Sequence, residues 1–170
     1  MRLERVALNG FLDHALERAK EKVTRVGCVM LDLDDFKTVN DTLGHAAGDE
    51  VIQISANCLA RLTRKSDTAF RLSGDEFVIV LESLKDDAAA YLVGERIVNA
   101  FHEPLSLESG KVEITASVGI AFSTPETTRS DLLRQADAAL YSAKRTGKNK
   151  WVVFSPEMID SPRNSQTQIG

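Results

Sequence analysis

A chain of 170 residues with 43% hydrophobic and 27% charged residues has the composition of one globular domain with a full core. Its net charge of -4 argues against a duplex nucleic-acid binder, which carries a basic face, but leaves a mononucleotide open. No apolar run approaches membrane-spanning length and Met1-Arg2-Leu3-Glu4 does not open a signal peptide, so a cytoplasmic chain with no membrane segment of its own is expected.

The first expected element is a helix over residues 2–20, where Leu3, Ala7, Phe11, Ala15 and Ala19 recur among charges. Residues 26–33 are apolar on both faces and end in Asp32 and Asp34, which predicts a central strand. Cys28 lies in that run. Cys58 falls on the next apolar face, neither cysteine has metal-ligand spacing, and both are expected as buried free thiols in a reducing compartment. A short helix over 36–43 should end at Gly44. A longer one over about 47–63 aligns Val51, Ile54, Cys58, Leu59 and Leu62, with Arg61, Arg64 and Lys65 suiting its C-terminal dipole.

Residues 68–72 and 77–81 flank Ser73-Gly74 as a hairpin. Asp86 or Asp87 can cap a helix to about residue 101 with Ala90, Val93, Ile97 and Phe101 inward. Pro104 and Gly110 punctuate a small hairpin. Val112, Ile114, Ala116, Val118, Ile120 and Phe122 alternate without a break, predicting one strand with one apolar face. Thr128 or Ser130 starts a helix carrying Leu132, Leu133, Ala136, Ala139, Leu140 and Ala143 inward; Gly147 ends it, and residues 151–154 make a last strand. The fold class is therefore α/β (α+β): a mixed, largely antiparallel sheet flanked by helices over residues 1–155. Residues 156–170, with Ser161-Pro162-Arg163-Asn164-Ser165-Gln166, read as a polar tail or linker.

Chemistry concentrates at Arg71-Leu72-Ser73-Gly74-Asp75-Glu76-Phe77, where two carboxylates follow a small-residue turn at the mouth of an apolar strand. If that strand neighbours the one ending in Asp32, the acids converge at one sheet edge. Mg²⁺ takes one or two carboxylates together with phosphate oxygens, so such an edge suits phosphoryl chemistry. On the residues alone, an acidic hairpin tip in water and a solvated Asp32 remain the alternatives.

Asp32-Leu33-Asp34-Asp35-Phe36-Lys37, Asn40-Asp41, Gly44-His45, Gly48-Asp49, Ser73-Gly74-Asp75-Glu76-Phe77, Ser117-Val118-Gly119-Ile120-Ala121 and Tyr141-Ser142-Ala143-Lys144 follow in an order and spacing that resembles the GGDEF family of bacterial diguanylate cyclases. Ser73 stands where that signature has its first glycine, and of the family's usual N-terminal stretch residues 2–10 keep little beyond Asn9. The resemblance implies a nucleotide-cyclase, palm-like fold. It also implies an enzyme that condenses two GTP into cyclic di-GMP with release of pyrophosphate, using Mg²⁺ or Mn²⁺, as a homodimer. The alternative it carries is a catalytically silent domain that binds GTP or cyclic di-GMP and regulates a neighbour; a bare dimerisation domain is a third.

The same resemblance implies the site. Asp32, the Leu33 carbonyl, Asp75 and Glu76 would hold the metal. Asp75 would accept the ribose 3′-hydroxyl proton, and Lys37 would stabilise phosphate charge. Asn40 and Asp49 would read guanine, whose N1–H and N2–H suit a carboxylate that adenine does not satisfy. Phe36, His45, Ser73 and Gly74 would line the nucleotide site. Lys144 and Lys148 would grip the triphosphate; the family more often has arginine at the second position. Arg64 and Asp67, with Arg96 as helper, match its inhibitory product site. Taken singly, Asn40 reads also as a plain helix residue, Asp49 as a helix cap, and Arg64 as a dipole-balancing helix end. Phe154-Ser155-Pro156-Glu157-Met158 resembles the connection to an EAL phosphodiesterase domain, so sensor or EAL domains outside this chain are expected partners.

Overall fold

The computed structural model describes residues 2–160, with side chains from residue 4 to residue 159. Four strands pair antiparallel and a fifth is parallel: β2 (Thr68–Ser73), β3 (Glu76–Leu84), β1 (Arg25–Leu33), β6 (Ala116–Phe122) and β7 (Trp151–Val153) lie side by side in that order. The expected mixed, largely antiparallel sheet is the one observed. Both neighbours of β1 run antiparallel to it, and its residues from Val26 to Leu31 are all buried, as a two-faced apolar run requires.

Strand alternation sends the sheet's side chains into two cores. Val29, Leu31, Phe77, Ile79, Val118 and Ile120 meet α3 (His45–Leu62) and α4 (Ala88–Ala100) on one face. Val26, Cys28, Met30, Val78, Val80 and Ala121 meet α1 (Arg2–Lys22) and α5 (Arg129–Arg145) on the other. The short α2 (Phe36–Leu43) leaves the end of β1 and turns at Gly44 (φ 87°) directly into α3. Leu105–Leu107 (β4) and Gly110–Val112 (β5) form the separate small hairpin expected around Gly110.

Several expectations are corrected. In α1 the buried face is Leu8, Leu12, Ala15, Leu16 and Ala19, while Ala7 is exposed. A strict four-residue repeat advances 400° per step and so drifts off any one face, whereas mixed steps of three and four stay on it. In α3 the inward residues are Val51, Ile52, Ser55 and Leu59; Cys58 is only half-buried, unlike Cys28. The run from Val112 to Phe122 is two strands, not one. Val112 closes β5, and β6 is buried on both faces because Ser117, Gly119 and Ala121 lie under a helix. A Cβ at Gly119 would stand 2.2 Å from the Leu140 backbone nitrogen and 2.3 Å from the Ala136 carbonyl oxygen, so α5 rests on the bare backbone of β6. Residues 156–160 are a short 3-10 turn against α5, and the rest of the expected tail lies outside the described residues. None of the described helices is long and apolar enough to cross a membrane.

Candidate active site

The register of the sheet brings the acids together. Asp32, at the end of β1, faces Glu76 across the β1–β3 ladder and Ser117 across the β1–β6 ladder. Ser73 pairs with Glu76, so the β2–β3 connection is a two-residue turn of Gly74 and Asp75. Only Gly74 there has positive φ (40°), which glycine adopts without a side-chain penalty. Ser73 is the last residue of β2, outside the left-handed region, so serine is not strained at that position. Its hydroxyl lies 3.5 Å from Glu76 Oε2, and Arg71 Nε donates to the Gly74 carbonyl at 2.9 Å, pinning the turn. The Leu33 N–H reaches the Asp75 carbonyl at 3.3 Å, which ties that turn to the end of β1.

Carboxylates crowd at this edge. Burial, then a hydrogen bond and charge from Asp32, push Asp75 up to about 7. Burial first, then the charges of Asp137 and Asp32, also raise Glu76, while Lys144 and Arg5 pull it back. One cation reaches down into the group: Lys144 Nζ on α5 pairs with an Asp32 carboxylate oxygen. The bare backbone of β6 allows this. Leu140 sits on Gly119, and one helical turn later Lys144 reaches the strand end where Ser117 lies beside Asp32.

Asp34, by contrast, is an anchor, a role that its place at the end of β1 does not announce. Its buried carboxylate accepts from Thr115 Oγ1 at 2.6 Å, Ser117 Oγ at 2.7 Å and the Asn149 backbone N–H at 3.1 Å. The loop from α5 to β7 is thereby bound to the end of β1. Lys148 and Asn149 both have positive φ in that loop, and Lys148 Nζ bonds Asp35 Oδ1 at 2.7 Å. Lys148 therefore stands on the side of Asp35, apart from Lys144 on Asp32. Asp137 is the other residue not foreseen; it lies seven positions before Lys144, two turns along the same helix face, and that spacing was the available signal.

The remaining predicted residues fall on α2, α3 and α4. Phe36 and Asn40, one turn apart on α2, both pack against Gly48 of α3. Lys37, His45 and Asp49 are exposed around the same helix pair. Arg64 and Asp67 meet each other: Asp67 is buried, its Oδ2 accepting from Arg64 Nε at 3.0 Å and from the Arg64 backbone N–H at 3.3 Å. Arg96 is exposed on the adjacent α4, and no ion pair joins it to Asp67 among the described residues.

The donor set fits a magnesium ion. Two carboxylates, one of them holding a proton to about pH 7 because it is half-buried and lies beside a second carboxylate, offer hard oxygens that a divalent cation would serve better than a proton does. Among the described residues no three His, Cys, Asp or Glu side chains close a metal site by themselves. A partial set suits an ion that keeps water and takes phosphate oxygens.

Comparison with known proteins agrees with this geometry. The family described as diguanylate cyclase, GGDEF domain, matches residues 3–150. The chain is 36% identical over 166 residues to the bifunctional diguanylate cyclase/cyclic di-GMP phosphodiesterase MucR of Pseudomonas aeruginosa, covering 97% of this chain and 24% of that protein. It is 34% identical over 156 residues to the diguanylate cyclase DgcZ of Escherichia coli, covering 91% and 52%. The chain thus spans about a quarter and about half of the length of these two relatives. The solved structure of an N-terminally truncated TpbB (YfiN) from Pseudomonas aeruginosa, comprising only its GGDEF domain, superposes with a TM-score of 0.87 at 35% identity, covering 95% of this chain and 94% of that one. With strand order, the acid edge and the matched span in agreement, the chain belongs to the GGDEF domain family.

Proposed function

We propose that this domain is a diguanylate cyclase: it joins two GTP molecules into cyclic di-GMP and releases pyrophosphate. The observation that carries the reading is the Asp32–Asp75 pair, with Asp75 raised to about 7 beside the cation of Lys144. A carboxylate poised near neutral pH suits proton acceptance, because its basicity and its ionised fraction are both useful there. In each transfer the 3′-oxygen of one GTP bonds to the α-phosphorus of the other, and the bond to pyrophosphate breaks. Asp75 takes the proton from that hydroxyl. Lys144 and Lys148 hold the triphosphate, Lys37 stabilises charge gathering on its oxygens, and Asn40 and Asp49 read the guanine. His45 and Phe36 border the base and Ser73-Gly74 the sugar and phosphate.

Asp32, Asp75 and the Leu33 carbonyl would hold Mg²⁺ or Mn²⁺, with Glu76 alongside; when bound, the ion supplies positive charge that acidifies the attacking hydroxyl and neutralises the phosphates. Each domain accommodates one GTP, so two copies meet across a two-fold for each product molecule. Arg64, oriented by buried Asp67, presents a guanidinium that suits a phosphate and a guanine edge of the product, with exposed Arg96 of α4 as helper. The covalent neighbours are sensor or EAL domains.

Incubation with GTP and Mg²⁺ tests the reading: cyclic di-GMP and pyrophosphate appear in a 1:2 ratio. A dimerised sample that binds GTP and forms no product replaces it with the silent nucleotide-binding domain.

A further inference from the structure

The geometry points to Gly48 as a positioning residue for guanine selectivity, an inference that rests on the proposed role of Asn40 in reading the base. Gly48 lies inside α3, where glycine costs on the order of 1 kcal/mol relative to alanine. Its φ is not positive, so the backbone there is one that alanine adopts freely. What keeps a side chain out is a neighbour. A Cβ at Gly48 would stand 1.8 Å from Asn40 Oδ1 and 2.9 Å from Asn40 Cγ, with Phe36 Cζ at 3.3 Å. The Asn40 carboxamide occupies the space that alanine would need.

Two consequences follow for the site. The notch seats Asn40 against the first turns of α3, directly beside the backbone that carries Asp49. Gly44, which turns α2 into α3, gives its N–H to the Asn40 carbonyl at 2.9 Å, and the Gly48 N–H bonds the Gly44 carbonyl at 3.2 Å. The backbone of Asn40 is therefore fixed at the corner while its side chain is fixed in the notch. An alanine at 48 must evict the side chain, since the α2–α3 corner leaves the backbone little room to move. The residues that hold phosphate, Lys144 and Lys148, lie on α5 and the loop after it and do not touch the notch.

GTP and ATP affinities, measured by calorimetry on the full chain and on Gly48→Ala, Asn40→Ala and the double variant, test this. Gly48→Ala is expected to weaken GTP about tenfold or more while leaving ATP within about twofold, because only base-edge contacts are lost. In the Asn40→Ala background, Gly48→Ala adds less than about a twofold loss, since the residue it acts through is gone. Should Gly48→Ala alone not fold, the double variant, which lacks the clash, folds and binds GTP as Asn40→Ala does. The inference is overturned by an equal loss of GTP and ATP, by the same loss in both backgrounds, by no loss at all, or by a double variant that does not fold. A parent chain that holds GTP no more tightly than ATP instead removes the guanine reading itself, and that appears before any variant is compared.

Discussion

Asp34 and Asp75 lie at the same sheet edge and have opposite surroundings. Asp34 is enclosed by neutral donors from Thr115, Ser117 and Asn149, so its charge is satisfied by the fold. Asp75 is half-buried beside another carboxylate, and its nearest cation is engaged with Asp32. One acid's charge holds loops together; the other lacks such a ring of donors, which suits the proposed metal and proton-accepting roles. Burial alone does not tell the two apart: Asp34 is the more buried but is ringed by donors, whereas Asp75 is raised by burial and by the carboxylate beside it.

Substitution at Asp75 should cost activity most. Asp75→Asn keeps the shape and removes the proposed proton acceptor, so cyclic di-GMP formation should fall by about 10²–10⁴-fold, with the melting temperature unchanged or higher. A variant within tenfold of the parent rate would mean that another group takes the proton.

Asp34→Ala should show the reverse emphasis. Two hydroxyls and one backbone N–H lose a buried acceptor, at a cost of about 2–4 kcal/mol in urea unfolding. The KM for GTP should rise as well, because the loop carrying Lys148 is released, but the loss of stability is what distinguishes Asp34 from Asp75. If Asp34→Ala unfolds at the parent's urea midpoint, the anchor role is wrong.

The strand ending in Asp32, the hairpin that carries Asp75 in its turn and the helix bearing Lys144 are legible because strong apolar periodicity is local. Asp34 is not, since its partners at 115, 117 and 149 come from distant chain segments and only register assembles them. The two-faced burial of β6 escaped for a related reason: small residues at 117, 119 and 121 resemble an exposed face until a helix is laid on them. In α1 the buried stripe follows 3.6 residues per turn, so a four-residue repeat of apolar residues drifts away from it.

A smaller effect sharpens the same contrast through pH. The folded chain holds a proton on Asp75 up to about 7, against an ordinary value of 3.8, and Glu76 shifts in the same direction. Between those limits the native state binds more protons than the unfolded state, so stability is complete below the unfolded value, declines as pH rises through the folded one, and levels above it. In metal-free buffer the parent should therefore lose more melting temperature than Asp75→Asn between about pH 5 and pH 8. Added Mg²⁺ should stabilise more at the upper end, where the carboxylates are free to take it. Parallel pH profiles for the two proteins would show that Asp75 is not the group holding the proton.

The smallest expected change separates the two lysines. Lys144 reaches into the half-buried acid group, whereas the Lys148–Asp35 pair is largely exposed on both sides. Exposed pairs contribute little because water screens them and two long side chains must be held still. Lys148→Ala should leave the melting temperature essentially unchanged and raise the KM for GTP only a few-fold, with kcat nearly intact, as expected for a group that adds uniform binding. Lys144→Ala should lower kcat as well, since it removes the cation that offsets Asp32 beside the reacting centre. If the two alanine variants prove kinetically equivalent, the division between an inner and an outer lysine fails, and both act simply as phosphate counter-charges.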